Sequence, residues 1–138
     1  MEMSKKILGA AVLLVAGLSQ PSAYAASCKA SEGGYSLLYC NTPTVWVTTQ
    51  TQFRIIGGAY YTRNKGTTYG REGTFIVTKK RDWKSDVNIY NSPFTGSVDK
   101  NIPTNGQANY YAYAGAYNSF DLPAGTKETH VSAYIAPL

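Results

Sequence analysis

Turn-forming residues punctuate this chain at short intervals, and that spacing favours strands over helices. Clusters stand at Asn41-Thr42-Pro43, Asn64-Lys65-Gly66, Gly70 to Gly73, Asn91-Ser92-Pro93, Asn101-Ile102-Pro103, Asn105-Gly106 and Leu122-Pro123-Ala124-Gly125. Each combines residues that tolerate or enforce a chain reversal. The stretches between them are rich in Val, Ile, Thr, Tyr and Phe, which suit a pleated surface. Beyond residue 25 no window of about 11 residues carries the apolar period of an amphipathic helix.

Strands are expected at Tyr35–Cys40, Thr44–Thr51, Phe53–Thr62, Thr74–Lys80, Asp86–Asn91, Ala108–Asn118 and Thr129–Ala136. Alternation supports them: Val45, Val47 and Thr49 share one face against Trp46, Thr48 and Gln50, and Val131, Ala133 and Ile135 oppose Ser132 and Tyr134. Gly57-Gly58 predicts a bulge or a close backbone approach. The one place for a short helix is a single turn at Arg81–Ser85. About seven short strands point to an all-β fold, an antiparallel β-sandwich or a small barrel.

The first 25 residues read as a targeting segment. Lys5 and Lys6 precede an apolar run from Ile7 to Leu18, 12 residues long. That is too short to cross a bilayer, which takes about 20, and it fits the h-region of a signal peptide. Ala23-Tyr24-Ala25 places small residues where a signal peptidase reads them. Cleavage after Ala25 leaves one domain, residues 26–138, with no further run able to span a membrane. Lipidation at Cys28 fits poorly, since no Leu lies three residues before it. The expected location is secreted or extracytoplasmic, and the Lys-Lys start is bacterial in style.

Cys28 and Cys40 are the only cysteines, 12 positions apart. In an oxidising compartment such a pair forms a disulfide, and its spacing is not that of a C-x-x-C redox motif. With two Cys and one His, no closed Cys/His zinc site can be built, and no cofactor motif is present. His130 is the only available imidazole base, and no G-x-S-x-G surrounds any Ser. The carboxylates fall mostly in expected turns, so an acid pair for glycoside hydrolysis is not apparent. An enzyme is not expected.

Two features suggest binding. Ala108–Asn118 places Tyr111, Tyr113, Gly115 and Tyr117 on one strand face, and Ala112, Ala114 and Ala116 on the other with Tyr110. Which face is buried stays open at this point, but tyrosines are good contact residues, large and with few rotatable bonds. The second feature is Lys79, Lys80, Arg81 and Lys84 around Trp83. A more scattered basic set comprises Arg54, Arg63, Lys65 and Arg71. Removing Glu2, Lys5 and Lys6 leaves 11 basic against 7 acidic side chains, a net +4. Such a balance outside the cytoplasm attracts anionic wall polymers or glycans, and nucleic acid is not expected as a partner there. The chain resembles the broad set of small exported bacterial β-proteins rich in Tyr, Thr and Gly, some bacteriocin-like and others surface-associated. The expectation is therefore a non-catalytic binding protein. The alternatives are a secreted antimicrobial toxin and a small extracellular hydrolase.

Overall fold

The computed structural model describes residues 25–33, 37–63, 66–116 and 126–138. The targeting segment before Ala25, with its signal-peptide reading, and Tyr117 lie outside the described residues. Ten strands form two antiparallel sheets. The first sheet runs β1 (Ala26–Gly33), β10 (Thr126–Pro137), β4 (Gln52–Arg63); beyond β4 lie β5 (Thr68–Gly70) and β8 (Ser97–Pro103), each on part of its length. In the second, β9 (Ala108–Ala116) pairs β6 (Glu72–Lys79), which pairs β7 (Val87–Thr95). The other side of β9 takes β2 (Leu38–Asn41) and then β3 (Val45–Val47). Thr42 bridges the gap between those two. Its N–H donates to Ala112 O, and its hydroxyl accepts the Ala112 N–H at 3.0 Å.

The period-two alternation of the sequence becomes the burial pattern. Val45 and Val47, Phe53 and Ile55, Phe75 and Val77, and Val131, Ala133 and Ile135 point into one apolar core between the sheets. Each fully buried large side chain contributes roughly 1.5–3 kcal/mol relative to exposure. Phe53 and Tyr110 meet edge-to-face across the layer, with ring centroids 4.9 Å apart. Among the described residues no strand belongs to both sheets, an arrangement compatible with a sandwich.

The two long edges are closed differently. At one, the Cys28–Cys40 disulfide ties β1 to β2, with Cα atoms 5.9 Å apart. The Cys28 sulfur is thereby unavailable for acylation. At the other, the chain crosses between sheets at Arg71 and again at Gly96, whose φ of 75° suits glycine. Ala59 binds both crossings: its N–H donates to Gly96 O and its carbonyl accepts the Arg71 N–H, while the Gly96 N–H donates to Arg71 O.

Several expectations need correction. β1, β5 and β8 were not expected, and the expected turns Asn91-Ser92-Pro93 and Asn101-Ile102-Pro103 lie inside β7 and β8. Proline is tolerated there because β7 is an edge strand and Pro103 ends β8. No α-helix occurs at 81–85, where Trp83 takes a positive φ that an α-helix cannot accommodate. Register is unbroken through Gly57-Gly58 on both neighbours. The close-approach reading holds instead, since a Cβ on Gly57 would sit 2.6 Å from the Phe75 ring.

Candidate binding face

The outer face of the second sheet unites the two features that the sequence singled out. On β9, Ala108, Tyr110, Ala112, Ala114 and Ala116 are buried, so the alanines and one tyrosine form the inner face. Tyr111 and Tyr113 therefore point outward and are half-buried. Tyr39, on the neighbouring β2 and 57% exposed, stacks on Tyr113 with centroids 5.8 Å apart. Trp46 stands opposite Asn109, which places it on this same outer face, one pleat from Tyr111.

The basic cluster divides by the same alternation. Consecutive residues point to opposite faces, so Lys79 and Lys80 leave the backbone in opposite directions and reach the same hollow from different sides. Lys79 turns beneath the adjoining loop and its ammonium donates to Asn105 O. Lys80 points outward, its Nζ 6.0 Å from the Tyr111 ring centroid, the outer limit of a cation–π contact. Arg81 closes its own loop: Nε donates to Ser85 O at 2.9 Å, and its N–H to Asp86 Oδ1 at 3.3 Å. Among the described residues, neither Lys80 nor Lys84 has a carboxylate within ion-pair distance. These groups surround an open basin of about 440 Å³, whose lining includes Trp46, Lys79, Lys80, Arg81, Lys84 and one carboxylate, Asp82.

Trp83, the aromatic that the sequence placed with these cations, is not part of the basin wall. It projects from the loop tip with its side chain fully exposed. Trp46 takes that place, and sequence reasoning missed it. Its separation from Lys80 in the chain hides a neighbourhood made by the β3–β9 and β9–β6 pairings.

The loop before β9 is pinned from inside. The Tyr110 hydroxyl donates to Gly106 O at 2.6 Å and accepts the Asn105 N–H at 3.0 Å. Burial pushes its phenol pKa up, the Asn105 N–H opposing this only in part, so it stays neutral at ordinary pH. Thr104 fastens the same loop to its neighbour through Gln50 O at 2.8 Å.

The scattered basic set does not form a surface patch. Arg54 makes a two-point ion pair with Asp99 at 2.8 and 3.1 Å. Arg71 is buried, donates to the Thr129 hydroxyl at 3.2 Å, and has its pKa lowered by that burial. Arg63 is half-buried at the end of β4, and Lys65 lies outside the described residues. His130 gains two partners on the outer face of the first sheet. Its Nδ1 lies 3.0 Å from Ser31 Oγ, and its Nε2 lies 3.2 Å from Glu128 Oε1. The Ser31–His130 contact follows from their direct pairing across β1 and β10.

No helix among the described residues is long and apolar enough to cross a membrane. No protein-family model matches the chain, and no curated protein matches it. Among solved structures, a protein from Sulfurospirillum deleyianum is similar at 9% identity with a TM-score of 0.43, over 80% of this chain and 98% of that one. Structures of infectious bursal disease virus, Gt and Gx strains, are similar at 9% and 12% identity with a TM-score of 0.44 in both cases. They align with 83% and 92% of this chain, which spans 31% and 37% of those viral chains.

Proposed function

We propose that this is an exported, non-catalytic binding protein that recognises an anionic cell-envelope polymer or extracellular glycan through the outer face of its second sheet. One observation carries the reading: Lys80 and Lys84, without ion-pair partners among the described residues, share a basin with Trp46, and Lys80 lies beside Tyr111. The cations supply attraction that is screened beyond roughly 8 Å at physiological salt. The rings supply flat apolar contact for the C–H surface of a sugar. The disulfide suits an oxidising, extracytoplasmic setting.

The test is retention of the purified chain on isolated cell envelopes across a salt series. Retention is expected to fall as salt rises, and to be lost in a Trp46→Ala, Lys80→Gln, Lys84→Gln variant that melts like the parent. Retention unchanged in that variant would remove the face from consideration. Killing of related strains at low concentration would move the assignment to a secreted toxin.

The Ser31–His130–Glu128 contact favours a second reading, a small extracellular hydrolase. A nucleophile, a base and a carboxylate in contact are what acyl transfer uses. Hydrolysis of an activated ester that disappears in Ser31→Ala and His130→Gln would establish it. No difference between those variants and the parent would close it.

A further inference from the structure

Trp83 sits outside the basin, and nothing in the polymer-binding reading uses it. It is fully exposed, and its φ is 63°, a region that bulky L residues enter only under constraint. The constraint is visible in the loop. Arg81 spans it, holding Ser85 O with its guanidinium and Asp86 with its backbone N–H. The loop is thus a tied turn whose apex is an indole in water. A Trp left over from poor packing would not need a strained backbone held shut by its neighbour.

We infer that this turn is an interfacial anchor, seating Trp83 at the headgroup level of an anionic lipid bilayer with Lys80 and Lys84 against the lipid phosphates. Shape decides between occupants. A sugar ring needs a wall or platform beside the stacking residue, and Trp83 has none, whereas a convex tip suits a medium that deforms around it. Chemistry agrees. An indole has an apolar body and one N–H, a combination that settles at the bilayer interface. In the turn and at its entry, Lys80, Arg81 and Lys84 outnumber Asp82 and Asp86. A net positive turn is drawn to an anionic leaflet. The anchor lies on the surface and spans nothing.

The chain has 2 Trp, so Trp46→Phe leaves Trp83 as the sole indole reporter. This full chain is mixed with vesicles of phosphatidylcholine alone, or with phosphatidylglycerol added. With the anionic vesicles, Trp83 emission should move to the blue and be quenched by brominated acyl chains; with the neutral ones it should not. Trp83→Ala in the parent chain should weaken partitioning about tenfold, from loss of the interfacial aromatic contact. Equal partitioning of that variant would overturn the proposal, and would assign any vesicle binding to other parts of the chain, residues 1–25 included. Emission unchanged on sedimented vesicles, or no sedimentation with phosphatidylglycerol, would overturn it as well. Envelope-polymer retention should be indifferent to Trp83→Ala and sensitive to Trp46→Ala, so the two proposals fail separately.

Discussion

The outer faces of the two sheets carry comparable numbers of cations but handle them in opposite ways. On the first sheet, Arg54 is matched to Asp99, the His130 ring lies against Glu128, and Lys29 is the lone cation of β1. On the second, Lys80 and Lys84 share a basin with Trp46 and Asp82, Tyr111 lies beside Lys80, and neither lysine makes an ion pair among the described residues. Paired exposed charges contribute little to stability and present little net field. Cations without an ion-pair partner among the described residues keep their field for an outside anion. The difference is the ground for proposing the second face as the binding surface.

The comparison can be broken most readily by placing the same charge change on each face. Lys80→Glu is expected to weaken polymer binding at least about tenfold, because it removes one attraction and adds a repulsion. Lys29→Glu, on the exposed first-sheet face, should change it by less than about twofold. Equal losses, read from isotherms at one salt concentration, would mean that net charge alone drives association.

Much of the architecture could be read from the sequence, because period-two alternation follows directly from burial on one face. What escaped has physical causes. β1 reads Ala-Ser-Cys-Lys-Ala-Ser-Glu-Gly, without a β-branched or aromatic residue. Its strand conformation comes from pairing with β10 and from the disulfide, both tertiary. Asn101-Ile102-Pro103 looks like a turn, yet Ile102 pairs with Phe53 and is buried. In the candidate site the cations and the tyrosine strand were visible. The substitution of Trp46 for Trp83 was not, because strand register has no local signature.

Tyr110 tests whether the second face needs its internal support. Tyr110→Phe deletes a buried hydroxyl with two partners and should cost about 1–2 kcal/mol, measured by urea unfolding. The variant should also change the alkaline limb. Because the folded pKa is raised, the stabilisation by neutral Tyr110 is fully present below the ordinary phenol value. It is lost as pH rises through the folded value, and the phenylalanine chain should lack that portion. An identical alkaline profile in the two chains would show that Tyr110 does not hold the loop in this way.

Tyr39→Ala sharpens the division within the second face. Tyr39 lies away from the basin but stacks on Tyr113, so polymer binding should fall only about threefold, with the salt dependence kept. A loss larger than that of Lys80→Glu, with little salt effect, would shift recognition from the cationic basin to a tyrosine platform.

The smallest effect belongs to Asp99→Asn on the first face. Hydrogen bonding and attraction from Arg54 hold the Asp99 carboxyl below its usual pKa. Any stability it confers is therefore present above the ordinary carboxylate range and is lost as pH falls through the lowered value. The variant and the parent should bind polymer alike at neutral pH, and their melting temperatures should converge on acidification. A binding defect in Asp99→Asn would contradict the division of labour between the faces.

The most direct measurement is a two-dimensional nuclear magnetic resonance titration of the isotopically labelled chain with a soluble polyuronate at physiological salt. The account predicts that shifts concentrate at the Trp46 indole and at Lys80, Lys84, Asn109 and Tyr111, while Ser31, Arg54 and His130 keep their positions. Shifts centred on β1, β4 and β10, or none at saturating polymer, would contradict it.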